Sequence, residues 1–294
     1  MSADGVGGGS GDALAAVAAQ APDGRGARIA WEDVRLPSWL VGAIGLVGVV
    51  IAWWVLAETA LAGVGAGVRA VPTPPEVVVG IVSAGWDFYA RNFAVTLAEA
   101  GIGYLWGNAI ALVLSAAVLV VPRLEGLVMQ LAILTYCIPI VAIGIVLVVI
   151  IPVPPAGQPA GNAVFLAALS VFFTTVVSTL LGLKAADRSA LDVVTVYGGS
   201  RLMQLRKVRI VAALPSALNA LQVAVPAAFL GAVLGEFFGK VQSGVGPAMI
   251  AAQQGLDAPR VWGLALVSGL VALGGFALLG VVARLVAPWA KGAT

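Results

Sequence analysis

Six predominantly apolar runs, each long enough to cross a bilayer, dominate this chain of 294 residues. They fall at about 38–60, 94–120, 125–151, 163–183, 212–238 and 261–287. A stretch of roughly 18 or more apolar residues matches the hydrocarbon thickness of a membrane as a helix. Inside lipid, only helices and closed barrels satisfy every backbone N–H and C=O. These runs are too long and too uniformly apolar for barrel strands. The expected fold is therefore an all-α integral membrane protein with six transmembrane helices. Only 10% of residues are charged, against about 25% in an ordinary soluble domain.

Composition also removes chemistry. The chain has no histidine and a single cysteine, Cys137, inside an apolar run. Histidine metal sites, histidine general bases and Ser-His-Asp triads are excluded together. No catalytic residue and no metal site is expected, and the chain is read as not an enzyme. Residues 1–35 are rich in Gly, Ala and Asp without clear periodicity, the pattern of a disordered cytoplasmic tail. The length and polarity of that stretch argue against a cleaved signal peptide. Residues 36–290 form the expected membrane domain.

Lys and Arg placement sets the orientation. With a cytoplasmic N-terminus, twelve cations fall on inside segments: Arg25, Arg28, Arg35, Arg123, Lys184, Arg188, Arg201, Arg206, Lys207, Arg209, Arg284 and Lys291. Four fall outside: Arg69, Arg91, Lys240 and Arg260. Both termini are thus expected in the cytoplasm, at the inner or plasma membrane. Trp39, Trp53, Trp54, Trp86, Trp262 and Trp289 sit mostly near span ends, the usual interfacial belt.

The inside loop at 184–211 is the least ordinary segment. "VYGGSRLMQLRKVR", 196–209, holds four of the sixteen Lys and Arg. Asp187 is a good N-cap. Leu191, Val194 and Thr195 then share a helical face, and Gly198-Gly199 ends that helix. Ser200 can cap a second helix, on which Leu202, Leu205 and Val208 recur. The bland alternative is a solvated loop obeying the positive-inside rule. Two capped helices around a double glycine, with an apolar stripe among cations, instead fit a docking site for a cytoplasmic partner.

The stretch from Asp187 to Gly239 resembles the signature region of ABC importer permeases of the binding-protein-dependent type. Their loop reads roughly Asp-Pro-x-x-x-Glu-Ala-Ala-x-x-x-Gly-Ala-Ser, then a basic helix and Leu-Pro-Ala-Ala-Leu-Pro. Here Asp187 matches, Asp192 takes the Glu position, and Val193 and Val194 take the Ala positions. Gly198, Gly199 and Ser200 follow, and Ala212 to Pro215 reads Ala-Ala-Leu-Pro. "AVLGEFFG", 232–239, is similar to the family's Ala-Glu-x-x-Gly run. "VPTPPEVV", 71–78, is similar to the entry segment of the sulfonate, taurine and nitrate branch. The departures are the shortened acid at 192, the β-branched pair and Ile210-Val211 in place of Leu-Pro.

The resemblance implies the type I ABC importer (MetI-like) permease fold, with cytoplasmic coupling helices that lie in a groove of a separate ATPase subunit. The implied coupling residues are Asp187, Asp192, Val194, Gly198, Gly199, Ser200, Arg201 and Leu205. It also implies a second permease, identical or a paralogue, and an extracytoplasmic solute-binding protein. The chain has no G-x-x-x-x-G-K-[ST] phosphate loop. No cofactor is expected on it, and ATP with its magnesium belongs to the partner subunit. The implied solute is an organic anion or a small heterocycle.

Polar residues inside the spans are the candidate translocation path and gate. They are Gln130, Thr135 and Tyr136 beside the kinking Pro139, then Ser170 and Thr174, and Glu236 at the outer end of span five. Against this, Ser and Thr often bond back to their own helix. Glu99 reads as a near-interface residue. Gly231, Gly235 and Gly239, at i, i+4 and i+8, suit either internal helix packing or a dimer or pore seam. Gly103 and Gly107 suit internal packing. Membrane lipid is a further partner, with anionic headgroups matched to the basic cluster at 201–209. Nucleic acid is not expected. The competing function, a secondary transporter or channel, needs charged groups near the midplane. Spans one, three, four and six carry none there.

Overall fold

The structure is a computed structural model that describes residues 37–59 and 70–289. The tail expected at 1–35 lies outside the described residues, as do Arg69 and Lys291. The chain divides at Ile51 into two units. The helices, in order, are α1 (Ser38–Glu58), α2 (Pro74–Ala84), α3 (Trp86–Val120), α4 (Glu125–Cys137) and α5 (Ile140–Ile150). After these come α6 (Gly161–Lys184), α7 (Arg188–Val196), α8 (Arg201–Gln204), α9 (Ile210–Phe238), α10 (Val245–Gln254) and α11 (Ala258–Val286). The described residues contain helices and no strand.

Five helical segments are long and apolar enough to cross a membrane, and six are reached if a bent pair is counted as one span. That pair is α4 with α5, turned by 90° at Ile138-Pro139. The sequence predicts a kink here; the structure makes a full break. Pro139 disfavours helical backbone in the residue before it, and Ile138 is extended, with φ −73° and ψ 127°. Span two also begins earlier than its apolar run suggests, at Trp86.

The second unit is organised around α6, which is packed between α3 and α9. Small residues make both contacts. A Cβ on Gly103 of α3 would stand 2.6 Å from the Val164 carbonyl oxygen, and one on Gly107 would strike Ala168 and Val171. On the adjoining face, a Cβ on Gly231 of α9 would lie 2.7 Å from the Leu166 oxygen, and one on Gly235 3.0 Å from the Ala163 nitrogen. Gly239 abuts Asn162. Both glycine ladders are therefore seams within one chain. Close backbone approach is how helices gain contact in lipid, where apolar burial gives no drive.

Two apolar clusters fill the sandwich. Toward α10 and α11 lie Tyr89, Phe93, Ala167, Val171, Ala228, Phe229, Val245 and Leu264. Toward α4 lie Ala111, Val118, Val128, Ala132, Val176 and Leu180. Buried polar groups stitch the same helices. The Thr175 hydroxyl donates to Asn108 Oδ1 (2.6 Å), and the Tyr104 hydroxyl donates to the Leu221 carbonyl (3.1 Å). Outside this core, α2 lies on α11, with Gly80 against Pro259 and Ile81 against Gly263. Trp53 stacks on Trp262, ring centroids 5.3 Å apart.

The seams predict a matched pair of outcomes. Gly103→Leu forces α3 away from α6 and lowers stability by at least about 1–3 kcal/mol. Gly101→Leu, two residues along the same helix, meets nothing within 4 Å and leaves stability unchanged. The temperature at which the detergent-purified protein loses monodispersity separates them, and equal values would contradict this packing.

Candidate functional site

The loop between α6 and α9 folds as two short helices. The Asp187 carboxylate caps α7, accepting from the Ser189 hydroxyl (2.5 Å) and the Ser189 N–H (3.2 Å). Those bonds hold its carboxyl below the usual range. At the other end Gly198 takes φ +73°, a conformation that favours glycine. The Gly199 N–H then reaches back to the Val194 carbonyl (2.8 Å) and the Gly198 N–H to Thr195 (2.9 Å). This closes the helix in the manner of a Schellman turn. A Cβ on Gly199 would stand 3.0 Å from Met203 Sδ, so the second glycine is needed for space.

Ser200 opens α8, its hydroxyl accepting the Met203 N–H at 3.4 Å. The Gln204 amide donates to the Thr195 hydroxyl (2.8 Å), binding α8 to α7. Leu205 to Arg209 form a π-helical turn that leads directly into α9. Leu205 is buried there against Leu183 and Ala213. The Arg209 guanidinium donates to the Leu183 carbonyl (3.4 Å).

The structure sorts the sequence-derived coupling residues. Asp187, Asp192, Gly198, Ser200 and Arg201 are exposed; Val194 and Gly199 are half-buried; Leu205 points inward. The outward apolar face consists of Leu202, which the periodicity put on the apolar stripe of the second helix, together with Val193, Val196, Tyr197 and Met203, which it did not single out. Tyr197 is 87% exposed. Arg206 and Lys207 join Ser200, Leu202 and Met203 around a recess of about 480 Å³. Neither cation has an ion-pair partner among the described residues. An exposed large apolar patch rimmed by charge marks an interaction surface.

The candidate path residues are dispersed. Gln130 is exposed on α4. The Thr135 hydroxyl bonds back to Ala132 (2.7 Å) and that of Ser170 to Leu166 (2.8 Å). Tyr136 is 71% exposed and stacks on Phe173, centroids 4.5 Å apart. Thr174 is half-buried, while its neighbour Thr175 makes the buried bond to Asn108.

Glu236 stands elsewhere, fully buried near the C-terminal end of α9. It accepts from the Thr96 hydroxyl (2.5 Å) and the Gly246 N–H (2.7 Å). Thr96 in turn accepts the Val245 N–H (2.9 Å). Glu99 is also fully buried and accepts the Ala160 N–H (2.7 Å). No group of three or more potential metal ligands occurs among the described residues.

Comparison with known proteins fits this arrangement. The profile of the binding-protein-dependent transport system inner membrane component family matches residues 107–292. The formylaminopyrimidine transport permease protein ThiX of Halalkalibacterium halodurans is 25% identical over 221 residues, covering 75% of this chain and 86% of that protein. The riboflavin transport system permease protein RibX of Chloroflexus aurantiacus is 29% identical over 130 residues, 44% of this chain and 47% of its own length. Among solved structures, a bacterial ABC transporter that imports the acidic polysaccharide alginate shares the fold. Its TM-score is 0.57 at 13% identity, over 84% of this chain and 95% of that one. The profile match, which spans more than half of the chain, leads to one conclusion: it belongs to the binding-protein-dependent ABC importer permeases.

Proposed function

We propose that this permease couples to a separate ATPase subunit through residues 187–207 and moves a small nitrogen heterocycle. The observation that carries the first part is the exposed surface of α7 and α8. Five large apolar side chains and the cations Arg201, Arg206 and Lys207 face outward from a loop whose inner side is fully engaged. Asp187, Asp192, Gly198, Ser200 and Arg201 lie on the contact. Val194 and Gly199 shape it from beneath, and Leu205 anchors it to the spans. ATP and magnesium belong to the partner. The family's general assembly supports a second permease and an extracytoplasmic solute-binding protein.

The solute class rests on the relatives, whose names refer to a formylaminopyrimidine and to riboflavin. Both are nitrogen heterocycles, which favours that class over a sulfonate or nitrate. The path itself would run along α4 to α6 past Gln130, Thr135, Tyr136, Ser170 and Thr174, with Glu236 shaping its outer end. The excess of Lys and Arg on one set of loops supports cytoplasmic termini and a cytoplasmic α7–α8 surface.

Purification from native membranes in mild detergent tests the coupling. The wild type should retain an ATPase subunit, and Gly198→Val or Arg201→Glu should lose it. A wild type that emerges alone under several conditions contradicts the proposal and restores the secondary transporter. The orientation has its own test. In a Cys137→Ala background, Tyr197→Cys should react with an impermeant thiol reagent only from the cytoplasmic side, and Lys240→Cys only from outside. The reverse pattern overturns the assignment.

A further inference from the structure

The third span breaks where a span tolerates it least. α4 and α5 meet at 90°, and the two residues between them, Ile138 and Pro139, are both extended, with ψ 127° and 117°. The break lies near the middle of the apolar run 122–150. A helix end leaves backbone groups without intrahelical partners. At the end of α4 these are the Thr135, Tyr136 and Cys137 carbonyls, since the Ile138 N–H meets Leu134. Proline has no N–H to offer Thr135. At the start of α5 they are the Ile140 and Val141 N–H groups, since those of Ala142 and Ile143 bond to Pro139.

The rest of the chain leaves this stretch open. Tyr136, Cys137, Ile138, Pro139 and Val141 are exposed. Irregular backbone at membrane depth persists only when it is buried in protein or lines water, because lipid offers it no hydrogen bonds. A helix packed on from a second copy has its own backbone satisfied and brings few donors or acceptors. Water and a polar solute bring both. Tyr136 adds a binding surface at the same point. Its ring stacks on Phe173, with centroids 4.5 Å apart and planes at 23°, so one face is held and the other is open.

We propose that the break is a solute subsite of the translocation path. A flat nitrogen heterocycle stacks on the open face of Tyr136, and its ring nitrogens and amino groups bond to the free N–H and C=O groups of residues 135–141. Helix ends of both signs meet there: the α4 C-terminus accepts and the α5 N-terminus donates. The class of solute rests on the function proposed above; the position of the subsite rests on the break and on Tyr136.

Cys137 is a native reporter, exposed at the break. A small cationic methanethiosulfonate reaches thiols through water and not through lipid. In native membranes that hold the whole assembly, it should modify Cys137 in the nucleotide-free or the ATP-bound state, and a saturating aminopyrimidine should slow the reaction. Tyr136→Ala should raise KM for aminopyrimidine uptake roughly tenfold, the scale of a lost aromatic stack, while Tyr136→Phe leaves it unchanged. A Cys137 that this reagent reaches in neither state lies against lipid or a second permease, and overturns the inference. So does modification that no transported solute slows, or a KM for the protecting solute that Tyr136→Ala does not move. Modification slowed by another transported solute and not by the aminopyrimidine keeps the subsite and rejects only the heterocycle.

Discussion

Everything in this permease hangs on how closely α6 approaches its two neighbours. The apolar effect that drives a soluble core is absent between helices in lipid, so contact must come from backbone proximity and polar bonds. Gly103 and Gly107 on one side, and Gly231, Gly235 and Gly239 on the other, let α6 sink between α3 and α9. Thr175 then bonds to Asn108 across the α3–α6 seam at 2.6 Å, and Tyr104 ties α3 directly to α9 through the Leu221 carbonyl at 3.1 Å. Without the glycines, those polar groups would be held apart and unpaired, which is costly in an apolar medium.

That sandwich fixes both ends of α9. Its C-terminal end delivers Glu236 to Thr96 and the α10 amides. Its N-terminal end continues from the π turn at Leu205–Arg209 and the α7–α8 surface. Leu205 and Arg209 tie that turn to Leu183 at the foot of α6. One continuous helical run, Arg201–Phe238, thus joins the α7–α8 surface to the polar cluster around Glu236. Single-turn π segments interrupt helices frequently at functional sites. Here the segment lies where movement of the docking surface would enter the spans.

Much of this was legible in the residues, and what was not has physical causes. Long apolar runs and capping residues are local, so the spans, the Asp187 cap and the Gly198 turn could be read directly. Helical periodicity also picked out Leu191, Val194 and Leu205, which face inward, but it grouped with them Thr195 and Leu202, which are exposed. It gave no reason to prefer Tyr197 or Met203, since which face is left over depends on what α6 and α9 cover. The glycine ladder at 231–239 left two readings, because spacing shows that helices approach closely but not whose helices. The apolar run gave no sign that Glu99 is buried within the protein, because only the fold brings the Ala160 N–H to it. Pro139 signalled a bend, yet the size of the break depends on how α4 and α5 each pack.

The central claim is that the α7–α8 surface is where an ATPase drives these spans. Proximity measured directly is its sharpest test. A single cysteine in place of Met203, in a Cys137→Ala background, would carry a short bifunctional cross-linker in membranes containing the whole assembly. The account predicts a cross-link to an ATPase subunit, with a yield that changes when ATP is bound. A cysteine that reacts freely with a soluble thiol reagent from the cytoplasm, yet never captures an ATPase, would contradict it.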